Sequence, residues 1–276
     1  MEQKQKGDVR PIGVFDSGLG GLTMVREFVE YLPDENIVYF GDTGRVPYGS
    51  RSPQIIERYA RQDERFLLSK DVKMIIAACG TVSAVASHTK YDLPVPFIEV
   101  VSPAAEAAVK ASASGRIGVI GTSTTISSGS YSKHIMALRP DAQVFTNDCP
   151  LFVPLVEAGW IQEDDPVVVE TARRYLRPIA EADVDTLILG CTHYPVLSKI
   201  IGGIMGERVT LINTGRTAAM AAADYLAAHH MLNTSGNERR CCYYVSDRTE
   251  SFSQVASILL GREIGDRVER VDITMY

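Results

Sequence analysis

The sequence predicts an α/β fold made of two pseudo-symmetric parallel-sheet units with a cleft between them. The first observation is that short apolar runs alternate with longer stretches of helical periodicity along the 276 residues. This order of strand, helix and strand is typical of a parallel sheet with helices on both faces. The second observation is an internal repeat that relates the two halves of the chain.

The repeat consists of three matches that occur in the same order in both halves. Residues 12–17 match 117–122, residues 38–43 match 144–149, and Cys79 matches Cys191, at offsets of 105, 106 and 112 residues. The small drift in offset fits short insertions between two copies of one duplicated α/β unit.

Apolar runs predict the strands, and apolar residues at helical spacing predict the helices. The predicted strands are residues 11–15, 38–41, 74–78, 97–100, 116–120, 143–146, 186–190, 209–212 and 241–245, and the predicted helices include residues 22–30, 53–69, 103–111 and 217–229.

The strand at 209–212 and the Ala-rich helix at 217–229 have no visible duplicate in the middle of the chain. We therefore expect both to return to the first unit, which becomes discontinuous. The predicted domains are residues 1–98 with 212–276, and residues 99–211. Because open α/β sheets bind ligands outside the carboxyl ends of their strands, we expect the active site in the cleft between the domains.

Composition narrows the class of protein. A hydrophobic fraction of 45% and a charged fraction of 22% indicate a folded globular chain. The net charge of −6 argues against nucleic acid or an anionic membrane as the main partner. Residues 1–8 are polar, and no apolar run approaches the roughly 20 residues that span a bilayer. We therefore expect a cytoplasmic protein whose five cysteines are free thiols.

Cys79 and Cys191 each end an apolar run and each precede small or hydroxylated residues. At equivalent strand ends of two units, the two thiols would face each other across the cleft. A thiol with the usual pKa of about 8.5 can both give and accept a proton near neutrality. The pair therefore predicts proton removal from one face of a carbon and delivery to the other, as in an amino-acid racemase. Cys149, Cys241 and Cys242 lack this pairing and are predicted to be structural.

Asp16 and Ser17 follow the first predicted strand and open a glycine-rich turn, residues 16–21. Its backbone N–H groups suit a carboxylate and its side chains suit an ammonium group, while the alternative is a helix N-cap at Asp16. The turn lacks the Gly-x-x-x-x-Gly-Lys pattern of a phosphate loop. Thr23 stands where the dinucleotide pattern Gly-x-Gly-x-x-Gly needs its third glycine.

His193 lies two residues after Cys191 and could tune its protonation, with helix capping as the alternative. Glu157 is a carboxylate within an apolar stretch, and it is either paired or on the solvent face of a helix. Cys191 and His193 lack a second pair of ligands at metal-site spacing, so we expect no metal. No lysine stands at these strand ends to hold pyridoxal phosphate, so we expect no cofactor.

Five motifs of the chain occur together in one known family. They are residues 15–23 (FDSGLGGLT), 40–49 (FGDTGRVPYG), 78–81 (ACGT), 151–157 (LFVPLVE) and 190–195 (GCTHYP). Together they resemble the bacterial glutamate racemases of the aspartate/glutamate racemase family, from about residue 11 to the C-terminal region. The resemblance implies a homodimer that interconverts L- and D-glutamate without a cofactor and supplies D-glutamate for peptidoglycan.

The resemblance also implies which residues form the site. The acid/base pair would be Cys79 and Cys191, assisted by Asp16, Glu157 and His193. The substrate-binding residues would be Asp16, Ser17, Tyr48, Gly49, Gly80, Thr81, Thr122, Thr124, Thr125, Thr192 and His193. Gly80 departs from the family pattern, in which asparagine is common after the first cysteine. A side-chain amide contact to substrate would therefore be replaced by a backbone N–H.

Three other interpretations compete with this one. An aspartate racemase would use the same two thiols, although residues 41–49 favour glutamate. A two-lobed binding protein with inert cysteines would be expected to carry a secretory signal. A thiol redox enzyme would carry its cysteines close together in the sequence.

Overall fold

The computed structural model describes residues 7–85, 93–248, 252–264 and 268–276. These residues form two parallel sheets with helices packed around them, which confirms the predicted α/β fold. None of the helices in these ranges combines the length and the apolarity that crossing a membrane requires.

The first sheet has six strands, which are β1 (Ile12–Asp16), β2 (Ile37–Gly41), β3 (Met74–Ala77), β4 (Phe97–Glu99), β9 (Cys241–Val245) and β10 (Val268–Arg270). Their order across the sheet is β10-β9-β2-β1-β3-β4. Neighbouring strands are parallel throughout. Every residue of β1, β2 and β3 is buried, because helices cover both faces of a parallel sheet.

The second sheet has four strands, which are β5 (Arg116–Gly121), β6 (Gln143–Asp148), β7 (Thr186–Leu189) and β8 (Thr210–Asn213). Their order across the sheet is β6-β5-β7-β8, and neighbouring strands are again parallel. This order corresponds strand for strand to β2-β1-β3-β4 of the first sheet. The pseudo-symmetry predicted from the sequence is therefore present, and β9 and β10 extend the first sheet alone.

The prediction that the strand at 209–212 returns to the first unit was wrong. β8 pairs with β7 of the second sheet. Thr210 lies opposite Thr186, and the next three residues of the two strands pair in the same register. β8 occupies the position that β4 has in the first sheet, so it does have a duplicate. The sequence match escapes notice because β4 has three residues and β8 has four, with little similarity between them. The exact domain boundaries remain a prediction.

Helices connect the strands and cover the sheets. They are α1 (Leu22–Tyr31), α2 (Pro53–Leu68), α3 (Gly80–Val85), α4 (Val101–Ala111), α5 (Ser123–Ser127), α6 (Ser130–Leu138), α7 (Phe152–Glu157), α8 (Pro166–Glu181), α9 (Ser198–Met205), α10 (Thr214–Ala228) and α11 (Phe252–Leu260). α2 is typical of them: Pro53 fits the first helical position, and Ile56, Ala60 and Leu67 form the buried face.

The last helix of each repeat crosses to the other unit. α4 follows β4 of the first sheet but packs on the second, where Ala104 and Ala108 lie in one core cluster with Ile117 and Ile188. α10 follows β8 of the second sheet but packs on α1 of the first. Small alanine side chains let both helices approach closely. The exchange ties the two units together and brings the carboxyl ends of their strands to a common region.

Candidate active site

Both predicted thiols lie at carboxyl ends of equivalent strands. Cys79 follows β3 and directly precedes α3, and Cys191 lies two residues after the end of β7. Their residues are only 5% and 7% exposed. The strand ends of both sheets therefore hold a buried thiol, as the sequence repeat predicts.

The Cys79 thiol has neutral and acidic neighbours. Its Sγ lies 3.3 Å from the Ser17 hydroxyl oxygen. Burial, together with the nearby carboxylate of Asp16, raises the pKa of Cys79 to about 12. Near neutral pH this group is a protonated thiol, which suits it to act as an acid.

The Cys191 thiol has a basic neighbour. Its Sγ lies 3.9 Å from Nδ1 of His193, and Nε2 of the same ring lies 3.0 Å from Oε1 of Glu157. Burial lowers the pKa of His193, but the hydrogen bonds with Cys191 and Glu157 outweigh it and raise the pKa to about 10. His193 is therefore an imidazolium near neutral pH, placed between a thiol and a carboxylate.

Glu157 reaches this site from α7, where its side chain is 45% exposed. The sequence left open whether Glu157 is paired or faces solvent, and the structure shows that it does both. The carboxylate is paired with His193 and remains in contact with water.

Asp16 ends β1 near Cys79 and is almost fully buried. Its Oδ2 accepts a hydrogen bond from the backbone N–H of Gly18 at 3.0 Å, while its Oδ1 has no hydrogen-bond partner among the described residues. Burial raises the pKa of the Asp16 carboxyl. A buried acceptor without a partner costs free energy, and a bound ammonium group would satisfy it.

Hydroxyl groups from both units meet between the strand ends. The Thr81 hydroxyl lies 3.0 Å from that of Thr122, which lies 2.9 Å from that of Thr125. Thr124 donates a hydrogen bond to the carbonyl oxygen of Gly49. These contacts bring together five of the predicted substrate-binding residues, and they join the first unit to the second.

A further contact between the units was not anticipated from the sequence. The Thr23 hydroxyl on α1 lies 2.8 Å from the carbonyl oxygen of Thr192 and 2.9 Å from that of Gly20. Thr192 precedes His193, so this contact holds the chain that carries the imidazole. The motif at residues 15–23 includes Thr23, but its residue type alone gives no sign of a role across the cleft.

The structure places the Tyr48 side chain in a buried polar cluster of the first unit. Its hydroxyl donates to Oδ2 of Asp42 and lies 3.3 Å from Oδ2 of Asp63. Arg45 contacts both carboxylates, at 2.5 Å and 3.1 Å. Burial and the nearby charge of Asp42 raise the pKa of Asp63 well above its usual range. The cluster fixes the turn that carries Tyr48 and Gly49, and sequence reasoning missed it because Asp63 comes from α2.

Cys149 also ends a strand, but it is fully buried and its carbonyl oxygen accepts a hydrogen bond from the Tyr194 hydroxyl at 2.9 Å.

Within the described ranges, no three His, Cys, Asp or Glu side chains are grouped as metal ligands.

Known proteins resemble this chain over nearly its whole length. The model of the Asp/Glu/Hydantoin racemase family matches residues 12–241. Glutamate racemase of Geobacter metallireducens is 43% identical over 258 residues, which are 93% of this chain and 95% of that protein. Glutamate racemase of Syntrophus aciditrophicus is 44% identical over 271 residues, 98% of this chain and 99% of that protein.

Solved structures agree with these relatives. The crystal structure of glutamate racemase from Francisella tularensis in complex with D-glutamate matches with a TM-score of 0.89 at 36% identity, covering 98% of this chain and 100% of that one. The family match and the paired thiols at equivalent strand ends lead to the same conclusion. The chain belongs to the Asp/Glu/Hydantoin racemase family.

Proposed function

We propose that this protein is a glutamate racemase that interconverts L- and D-glutamate by moving the Cα proton between Cys79 and Cys191. The observation that carries the proposal is the pair of buried thiols at equivalent strand ends with unlike neighbours. A racemase needs one group that accepts a proton while the other donates one. The unlike neighbours suit two otherwise equal thiols to these different tasks.

In one direction Cys191 acts as the base. Its thiolate sulfur takes the Cα proton, the electron pair of the broken C–H bond stays on the carbon, and Cys79 delivers its S–H proton to the opposite face. The imidazolium of His193, 3.9 Å from the Cys191 sulfur, provides positive charge beside the thiolate. Glu157 holds the imidazole from its far side.

In the other direction the roles are exchanged. Cys79 takes the proton as a thiolate, and Cys191 donates one. Ser17 offers Cys79 a hydroxyl, but no cation among the described residues contacts the Cys79 sulfur as His193 contacts that of Cys191. A substrate ammonium group would supply the positive charge there, and the unpartnered Oδ1 of Asp16 would accept a hydrogen bond from it.

The hydroxyls at the cleft fit the carboxylates of the substrate. Thr81, Thr122 and Thr125 offer O–H donors at adjacent positions from both units. The backbone N–H groups of the turn that follows Asp16, and of Gly80, add further donors. Two carboxylates and one ammonium group on a five-carbon chain match this distribution, with Ser17, Gly49 and Thr192 as the remaining contacts we propose.

The test uses the purified protein with a chelator and without added cofactor. L-glutamate and D-glutamate are incubated separately in deuterated water, and circular dichroism and proton NMR follow the optical activity and the Cα–H signal. We expect both reactions to reach an equal mixture of enantiomers, with deuterium at Cα. Turnover of aspartate in place of glutamate would contradict the substrate assignment, and loss of activity that zinc restores would contradict the metal-free mechanism.

The cellular setting that we propose follows from the same activity. D-glutamate produced in the cytoplasm would supply peptidoglycan synthesis, and the enzyme would be a homodimer. Sedimentation velocity on the purified protein tests the oligomeric state.

A further inference from the structure

The backbone that follows Cys191 turns through hydrogen bonds between residues three positions apart. The Tyr194 N–H donates to the Cys191 carbonyl oxygen at 3.1 Å. The Val196 N–H donates to the His193 carbonyl oxygen at 3.2 Å. The carbonyl group that lies between these two acceptors belongs to Thr192, and in the same pattern its donor would be the N–H three residues later.

That position is Pro195, which has no N–H. A buried carbonyl left without a donor costs free energy, so the turn needs a donor from elsewhere. The hydroxyl of Thr23 on α1 lies 2.8 Å from the Thr192 carbonyl oxygen, and both residues are buried. The proline therefore makes the geometry of this turn depend on a side chain of the other unit.

The same part of the first unit packs directly on the imidazole. A Cβ atom built on Gly20 would lie 2.6 Å from Cε1 and 2.7 Å from Nδ1 of His193. Glycine at this position thus lets the backbone of the turn 16–21 touch the ring. The N–H of Thr23 donates to the Gly20 carbonyl oxygen at 3.0 Å, and the Thr23 hydroxyl lies 2.9 Å from the same oxygen. One residue of α1 therefore contacts both backbones that surround the ring.

The position of the ring decides what His193 can do for the nearby thiol. Its Nδ1 lies 3.9 Å from the Cys191 sulfur, and its Nε2 lies 3.0 Å from Oε1 of Glu157. The carboxyl group of Asp16 is also close enough to interact electrostatically with the imidazole. The contact with sulfur is the longest of these printed contacts of the ring, so it tolerates little further displacement.

We propose that Thr23 is a positioning residue that holds His193 against the Cys191 thiol by binding the Thr192 carbonyl from the other unit. The proposal rests on the proposed two-thiol function, in which the imidazolium supports the Cys191 thiolate. Without the hydroxyl, the Thr192 carbonyl has to turn toward another donor, and the adjacent His193 moves with its backbone. A misplacement of about 1 Å in a catalytic group can lower a rate about 10²-fold.

Thr23→Val tests this, because valine keeps the shape of threonine and lacks the hydroxyl. We expect kcat/KM to fall about 10-fold, and equally from L- and D-glutamate, since the two enantiomers are equally stable in water. Thr23→Ser retains the hydroxyl, and we expect its kcat/KM to lie within about twofold of the wild type.

The matched control is Thr217→Val on α10. The Thr217 hydroxyl donates to the carbonyl oxygen of Thr214, three residues earlier, at 3.1 Å, and this bond stays within one helix. The control therefore removes a threonine hydroxyl from a helix without removing a bond to the turn that carries His193. We expect its kcat/KM to equal that of the wild type.

A second background shows whether Thr23 acts through His193. In His193→Asn the imidazole is gone, so adding Thr23→Val should lower kcat/KM by less than about a further twofold. A general structural role, or a role through the Thr192 hydroxyl, would lower kcat/KM by the same factor in both backgrounds, and that result would overturn the proposal. Unchanged kinetics of Thr23→Val, or equal impairment of Thr23→Ser, would also overturn it.

Circular dichroism and thermal unfolding check that each variant is folded. If Thr23→Val does not fold, Thr23→Ala takes its place, since it removes the hydroxyl without setting a methyl group against the carbonyl. If neither folds, the hydroxyl serves folding and the proposal is wrong. A wild-type protein without glutamate racemase activity would refute the proposed function itself, whereas an active wild type with an equally active Thr23→Val would refute only the positioning role.

Discussion

Nε2 of His193 lies 3.0 Å from Oε1 of Glu157, and this hydrogen bond links a buried imidazole to a carboxylate at the surface. Nδ1 of the same ring lies 3.9 Å from the Sγ atom of Cys191. The relationship makes the protonation of His193 depend on a residue 36 positions earlier in the chain. Within the part of the chain that the structure describes, the equivalent thiol, Cys79, contacts the Ser17 hydroxyl and no imidazole.

Glu157→Gln should shift the alkaline limb of the pH profile to lower pH. The carboxylate helps to raise the pKa of His193 to about 10, so the imidazolium persists through neutral pH and is lost as pH rises toward that value. Without the charge of Glu157, the proton is lost at lower pH. We expect kcat/KM at about pH 9 to fall roughly 10-fold, the size expected of a charge-assisted hydrogen bond that is partly exposed.

The measurement is kcat/KM from neutral to strongly alkaline pH in both directions. Glu163→Gln is the control, since Glu163 pairs with Lys199 on the surface at 2.9 Å and both side chains are exposed. An alkaline limb of Glu157→Gln that coincides with that of the wild type would assign Glu157 to a purely structural role.

Cys79→Ser and Cys191→Ser should each lower racemisation at least about 10²-fold, because each removes one of the two acid/base groups. A hydroxyl is a far weaker acid than a thiol. Polarimetry with each enantiomer measures the loss, and circular dichroism checks that the fold is intact. Cys242→Ser is the control, since Cys242 is exposed on β9. Near-normal racemisation by either active-site variant would end the two-thiol mechanism.

Cys79 should resist alkylation in the free enzyme. Burial and Asp16 raise its pKa to about 12, so at about pH 8 nearly all of it is the unreactive neutral thiol. We expect iodoacetamide to label Cys79 at least about 10²-fold more slowly than the exposed Cys242, as followed by mass spectrometry of the peptides. Comparable labelling of the two cysteines would show that Cys79 is ionised or accessible, against the structure.

Thr124→Val should weaken substrate binding more than turnover. The variant keeps the shape of the side chain and removes its hydrogen bond to the Gly49 carbonyl across the cleft. A hydrogen bond of this kind contributes about 0.5 to 1.5 kcal/mol, so we expect KM to rise roughly twofold to 10-fold. Ser127→Ala is the control, because its hydroxyl bonds within the same helix to the Thr124 carbonyl oxygen. A KM equal to that of the control would mean that the bridge does not support the substrate site.

Much of this molecule follows from local sequence. β3 and β7 each end two residues before Cys79 and Cys191, close to the predicted strand ends, because short apolar runs form buried strands and a duplicated unit places its strand ends alike. The turn after Asp16 and the pairing of His193 with its neighbouring thiol are also local, since they join residues two positions apart.

Tertiary structure decided the contacts between distant parts of the chain. β8 joins the second sheet through its pairing with β7, and nothing in its four residues specifies that partner. The bond from Glu157 to His193 depends on where α7 lies relative to the end of β7. Pro195 is visible in the sequence, but the bond from Thr23 to the Thr192 carbonyl that it makes necessary appears only when both units are assembled. Backbone propensity and apolar periodicity act within a segment, whereas these contacts depend on how whole segments pack.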